Sequence, residues 1–540
     1  MTGDESVTDE SVGDAIEYGI DEQPPLGESM VLGVQHYLTM VGANIAVPLI
    51  LADAMGMPPG VTARFIGTFF VVSGIATLAQ TTFGNRYPIV QGAPFSMLAP
   101  ALAIVGVVTA GGVSGQPGWE AALLQLQGAI IVAALVEVAM GYFGLVGKLR
   151  RFLSPVVIAP TIALIGLSLF SAPQITAANQ SWWLLGLTLG LILLFSQYLD
   201  VKHRAFRLYP VILALVIAWA AAAALSLDVT LGPVSIADLT IGPLSIDPVL
   251  GSDHPGYVDL GAVANTRPLL PIYPFQWGVP EITTAFVIGM FAGVLASIVE
   301  SIGDYYAVAN ISGSGAPSEK RINHGIGMEG LMNIFSGIMG TGGSTSYSEN
   351  IGAIGLTGVA SRYVVQIGAV VMLFVGFVGY FGQLIATIPD PIVGGLFIAM
   401  FGQIVAVGIS NLRHVDLDSS RNTFIIGFAL FVGLAIPAYM GNFESTIAFR
   451  EAVGLEAMIG AIGLANTAAA TAIEVAAQAV VDTVYIIGST GMAVGGLAAL
   501  VLDNTVPGSR EERGLAQWDR ITEDESEFDS VWDRWIRTEK

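Results

Sequence analysis

Residues 342–350 read Gly-Gly-Ser-Thr-Ser-Tyr-Ser-Glu-Asn, and residues 87–95 read Tyr-Pro-Ile-Val-Gln-Gly-Ala-Pro-Phe. Each stretch opens an apolar run, and each is too rich in Gly, Pro or small polar residues to be helical itself. The first should become helical only after about Glu349, the second near Phe95. Irregular backbone at membrane depth is tolerated where it is buried in protein or lines a cavity. The two stretches therefore mark half-helices that meet at a central site.

The surrounding composition is that of a membrane protein. Of 540 residues, 53% are hydrophobic and only 12% charged, and the mean hydropathy is +0.69. Soluble domains carry about 25% charged residues, so a soluble enzyme is excluded. The 65 glycines suit close helix packing in lipid. Cysteine is absent, which removes disulfides, thiolate nucleophiles and Cys-type metal sites. A net charge of −22 excludes a nucleic-acid partner. The first 28 residues hold nine acids and no Lys or Arg, which reads as a solvated, disordered arm and not a signal peptide. The tail 504–540 is also acidic, and its Trp518, Trp532 and Trp535 read as part of an ordinary surface helix. Such acidic exposed segments on an ordinary membrane core point to a salt-loving organism.

A helical span takes about 20 mostly apolar residues. Fourteen candidates are found, near 30–52, 65–84, 88–109, 121–143, 149–170, 182–199, 208–227, 281–303, 322–341, 344–359, 362–386, 391–411, 421–440 and 482–502. With both termini cytoplasmic, eighteen of the 21 basic residues fall inside, leaving only Arg64, Arg267 and Arg450 outside. The broken spans are third in each set of seven. An odd number of spans per half makes the halves inverted, and paired broken segments in an inverted repeat point to a transporter's central site. The expected fold is thus an all-α polytopic membrane protein of 14 transmembrane segments in two inverted repeats.

Three carboxylates stand out in or beside the spans. Glu300 and Asp304 share one face of span eight, about 6 Å apart by their i, i+4 spacing. Glu349 starts the tenth half-helix. Each is costly in the bilayer unless protonated, hydrogen-bonded to a ligand or paired with a bound cation. His36 either orients a carboxylate or is a satisfied core histidine. Glu137 and Glu329 lie nearer span ends and read as structural. Half-helix N-termini alone describe an anion site, but carboxylates beside them repel an anion. Carboxylate acceptors with backbone donors suit a neutral planar molecule such as a nucleobase, with Phe95 as a stacking face.

Glu349-Asn350-Ile351-Gly352, followed by Thr357-Gly358, resembles the signature of the nucleobase–ascorbate transporter family, or nucleobase:cation symporter-2. Gln35-His36-Tyr37-Leu38-Thr39 through Val47-Pro48 resembles its first span, and Glu300 through Tyr306 its eighth. Pro389 through Gly395 and Asp503 through Gly508 resemble later landmarks, so the likeness runs from about 28 to 509 without segment 441–481. The resemblance implies a core domain (29–145 and 281–388) and a gate domain (146–227 and 389–503), with an extracellular loop at 228–280 and an extracellular insert at 441–481. It implies that Glu300, Glu349, Phe95 and Ser348 bind the base, and His36 matches its first-span histidine. It ties Asp304 to coupling, and Asn350, Gly352 and Thr357 to the signature. It also implies a homodimer. Glu349 departs from the proline of ascorbate carriers and favours uracil over ascorbate, with xanthine open, although spans 8 to 13 look closer to the animal branch.

The expected function is cation-coupled symport of a nucleobase into the cell by alternating access, with H+ or Na+ as the coupled ion and no other cofactor or metal. The rivals are an anion exchanger on the same fold, an ascorbate-like carrier, a gated channel and an intramembrane enzyme. No catalytic Ser/His, metal-ligand cluster or paired-Asp motif supports the last.

Overall fold

The structure is a computed structural model describing residues 16–515 and 528, apart from 112–116, 147–151, 171, 228, 232–233, 237–238, 242–243, 247, 316, 444–445 and 455–467. The chain is mainly helical. The long helices are α1 (Leu26–Met55), α2 (Pro59–Thr82), α3 (Leu98–Gly111), α4 (Gly118–Tyr142), α5 (Pro155–Leu167), α6 (Trp182–Leu193) and α7 (Pro210–Leu225). After them come α8 (Thr284–Ile311), α9 (Glu319–Met339), α10 (Ser348–Thr357), α11 (Arg362–Phe377), α12 (Gly379–Ala386), α13 (Asp390–Asn411), α14 (Ser420–Met440), α15 (Ala468–Gly488) and α16 (Gly491–Thr505). Among the described residues, five helices are long and apolar enough to cross a membrane, or up to seven if each of two bent pairs counts as one span. Local chemistry sets the ends. Proline opens α2, α5 and α7, where its missing N–H costs nothing. Serine hydroxyls cap α9, α11 and α14.

Helix contacts fall into two groups. Helices α1–α4 pack with α8–α12, and α5–α7 pack with α13, α14 and α16. The groups meet where α8 touches α5, and α1 touches α7 and α13. Helix α4 packs closely on α9. A Cβ on Gly141 would stand 2.3 Å from the Gly327 backbone nitrogen, closer than any real contact.

Two strands cross inside the first group. β1 (Gln91–Gly92) pairs antiparallel with Thr345–Ser346, with Gln91 opposite Ser346. In the loop after α7, β2 (Val229–Leu231) pairs antiparallel with β5 (Leu244–Ile246), and β3 (Val234–Ile236) with β4 (Leu239–Ile241), so Thr345–Ser346 is β6.

Several expectations are corrected. The arm 1–28 is not disordered throughout. Residues 17–22 lie along the end of α10, where Glu17 and Tyr18 donate to the Gly358 carbonyl and Arg362 N donates to Ile20. Asp21 bridges Arg86 at 3.1 Å and Arg362 at 2.6 Å. Asp21 thus has cationic partners far away in sequence. Residues 1–15, Trp518, Trp532 and Trp535 lie outside the described residues. The third half-helix starts at Leu98, not Phe95, because the Phe95 carbonyl accepts from Leu98 N in a turn first. The run 362–386 is interrupted at Val378, where Gly379 N donates to the Pro268 carbonyl and Leu270 N donates to the Phe377 carbonyl, with Pro268 and Leu270 both in the preceding loop. The run 482–502 is interrupted at Ser489-Thr490, with a 96° bend between two helices. Within the insert 441–481, helix Thr446–Ala452 and the first part of α15 are described.

Candidate functional site

Four buried side chains hold the strand crossing. Asn350 of α10 donates from Nδ2 to the Pro88 carbonyl at 2.9 Å and accepts from Val90 N at 3.1 Å. Asn44 of α1 accepts from Ala93 N at 2.9 Å, and Thr77 of α2 from Gln91 N at 2.9 Å. Asn333 of α9 accepts from Ser344 N at 2.6 Å. Backbone without a helical ladder needs such partners when buried. Gly343 sits beside them at φ +106°, a conformation that disfavours side chains.

A cavity of about 770 Å³ lies where the two helix groups meet. Phe95, Glu300, Asp304 and Ser348 line one side, and Ile158 of α5 and Gln403 of α13 line the other. Glu300, Gly303, Asp304 and Ala307 all face it, as i, i+3 and i+4 spacing on α8 requires. Ser348 Oγ donates to Asp304 Oδ1 at 2.5 Å, and Ser346 Oγ to Asp304 Oδ2 at 2.7 Å. Among the described residues, the wall carries the carboxyl groups of Glu300 and Asp304 and the guanidinium of Arg413.

The neighbouring face of α8 carries Ser297 and Ser301. Both donate to Glu329, at 2.7 and 2.6 Å, and Thr345 adds a third hydroxyl at 2.9 Å. Glu329 is buried, and so is Glu137 of α4, which accepts from Asn333 at 2.9 Å. Sequence reading put these two near span ends. The α9 helix starts three residues earlier than expected, so Glu329 falls at its middle. The available signal was Ser297, Ser301 and Thr345, hydroxyls that an apolar helix and a strand crossing had no other reason to carry.

Of the expected site residues, Glu300, Phe95, Ser348 and Asp304 come together in the cavity. His36 does not line it and is buried in α1. Asn350 holds the crossing from behind. Thr357 sits at the far end of α10, donating to the Ala353 carbonyl at 2.8 Å. The Glu349 side chain and Gly352 lie outside the described residues. Among the described residues no group of three His, Asp or Glu side chains is placed to hold a metal ion.

Apolar helices around a cavity whose wall carries Glu300 and Asp304 are the architecture of a multi-pass membrane permease. The chain belongs to the nucleobase–ascorbate transporter family: the family model Xan_ur_permease, described as a permease family, matches residues 27–441. It is 39% identical to solute carrier family 23 member 2 of Mus musculus, over 93% of this chain and 76% of that one. It is 33% identical to nucleobase-ascorbate transporter 12 of Arabidopsis thaliana, over 93% and 72%. Among solved structures, the murine anion transporter Slc26a9 in its inward-facing state superposes with TM-score 0.50 at 12% identity, over 82% of this chain and 69% of that one. That likeness concerns the fold alone.

Proposed function

We propose that this permease is a cation-coupled symporter that carries a neutral nucleobase, uracil or a xanthine-type base, into the cell by alternating access. The observation that carries the reading is the cavity wall, which combines Glu300, the hydroxyl of Ser348 and the ring of Phe95. A carboxylate accepts from ring N–H groups, the start of α10 offers donors to exocyclic oxygens, and Phe95 supplies a stacking face. Two carboxylates on the wall disfavour an anionic substrate. An ascorbate-like substrate is the second reading, favoured by the name of the Arabidopsis relative. In the proposed arrangement the fourteen spans form two inverted sevens with both termini cytoplasmic. The α1–α4 and α8–α12 group acts as the core, and the α5–α7, α13, α14 and α16 group acts as the gate of a homodimer. The coupled ion is H+ or Na+.

Binding to purified protein tests this. Glu300→Gln should abolish measurable binding of uracil and xanthine while the protein remains folded and monodisperse. Unchanged affinity would remove Glu300 from the site.

A further inference from the structure

Between α7 and α8 the chain passes from one helix group to the other as a strap fixed at both ends. Its first part, residues 250–258, is held on the α5–α7 group. Leu250 N donates to the Leu225 carbonyl at 3.0 Å, and Val258 N donates at 3.1 Å to Ser226 Oγ, just past the end of α7. Leu250 is 3% exposed and Val258 2%, so both bonds are shut away from water. The later part, residues 266–281, is held on the α1–α4 and α8–α12 group. Besides the two backbone bonds at Phe377 and Gly379, Phe275 N donates to the Ile338 carbonyl at 2.8 Å. Gln276 accepts from Arg64 Nε of α2 at 2.8 Å and donates to the Met339 carbonyl of α9 at 3.0 Å. The Arg64 guanidinium also lies 4.6 Å from the ring centre of Trp277, a cation–π contact.

Between the two anchors lies a one-turn helix, Leu260–Ala264, resting on α12. None of its five residues is buried. Its ends are tied by its own chain. Asp259 Oδ1 accepts from Ala262 N at 3.1 Å, and Asn265 Nδ2 donates to the Gly261 carbonyl at 3.0 Å. So short a helix has little stability of its own. Asp259 alone separates it from Val258, the last residue bonded to the α5–α7 group. The strap therefore has about one residue of slack, or about 3.5 Å. Unwinding five residues from a helical to an extended rise would add about 9 Å. Tearing out either anchor strands buried N–H groups, which is costly. Unwinding the exposed helix strands none.

We infer that helix Leu260–Ala264 stores the slack of a strap joining the two helix groups. It unwinds as they part on the side the strap crosses and rewinds as they close, while both anchors hold. The inference rests on the alternating-access reading above. It makes the strap a stop: the groups part there by about 9 Å and no further unless an anchor fails.

Hydrogen exchange of the full-length protein in lipid tests the assignment without substrate. The amides of Leu250, Val258, Leu270 and Phe275 should exchange at least tenfold more slowly than those of Ala262, Asn265 and Thr266. Exchange at Val258 as fast as at Asn265 overturns the inference, because the anchor would then be what gives. A staple tests the function. The chain has no cysteine, so a thiol reagent spanning one helical turn reacts only with Leu260→Cys plus Ala264→Cys. The cross-linked pair should exchange labelled base across proteoliposomes at least tenfold more slowly than the same variant left unlinked. Six Gly and Ser residues inserted after Asp259 in the stapled variant should restore the rate. A staple without effect overturns the inference, and so does a loss that the inserted slack does not relieve. Should the pair fail to fold, Gly261→Cys plus Asn265→Cys carries the same staple on exposed positions. Wild-type protein that moves no base would sink the transport reading and leave the exchange pattern to decide the inference.

Discussion

Asn350 offers the sharpest structural prediction. Replacing it with alanine leaves the Pro88 carbonyl and the Val90 N–H without the partners they have at 2.9 and 3.1 Å. Val90 is 2% exposed, so water does not reach its N–H readily. A buried orphaned polar group costs about 1–3 kcal/mol, so Asn350→Ala should destabilise by about 2–6 kcal/mol for the pair. Thr357, in the same signature, gives the internal comparison. Its hydroxyl donates to the carbonyl one turn back and accepts from Val359 N at 3.2 Å, at a half-buried helix end. Thr357→Ala should therefore cost only about 0.5–1.5 kcal/mol, the net value of an ordinary hydrogen bond. Reversible denaturant unfolding of purified protein in mild detergent measures both, with base affinity measured on the same samples. Asn350→Ala should lose stability and affinity together, since the crossing positions Phe95 and Ser348. Stability within about 0.5 kcal/mol of wild type, the range of a neutral surface change, would refute the idea that Asn350 holds the crossing.

The packing of α4 on α9 predicts that Gly141→Val destabilises by at least about 1–3 kcal/mol through overpacking, read as lost monodisperse yield and a lower unfolding midpoint. Asp21 is 66% exposed although it bridges two arginines. Asp21→Asn should therefore cost no more than about 1 kcal/mol at low salt, and the difference should vanish in molar salt; a loss that persists there would mean a buried role. The Ser419 hydroxyl, with Ser509 N, holds the Glu512 carboxyl below its ordinary range. The lowered value means a stabilisation present above the ordinary glutamate pKa and lost as pH falls through the folded one. Unfolding curves of wild type and Glu512→Gln should therefore differ at neutral pH and converge in acid; curves that stay parallel would contradict the bond.

The two breaks were legible because Pro88 and Pro94, and Gly342 with Gly343, crowd the residues least favourable to a helix into two short stretches. Glu300 and Asp304 were legible because spacing alone fixes a helix face. What the sequence hid was pairing at long range. Asp21 reads as one more acid in an acidic arm until Arg86 and Arg362 are brought beside it. The helix ending at Phe377 is set by Pro268 and Leu270, more than a hundred residues away, so an apolar run could not reveal it. The interruption at Ser489-Thr490 is different. Gly488 and Gly491 flank it, and that cue was present in the chain. Glu329 was placed nearer a span end by boundary error: a few residues separate a span end from a helix centre, and its hydroxyl partners come from α8 and β6.

Uptake of labelled uracil and xanthine into proteoliposomes, under an imposed proton gradient or an imposed Na+ gradient, tests the central claim most directly. The account predicts that one gradient drives accumulation of a base, that the unlabelled base competes, and that Glu300→Gln abolishes it. No uptake of either base by folded protein, with uptake of ascorbate or exchange of an inorganic anion in its place, would contradict it.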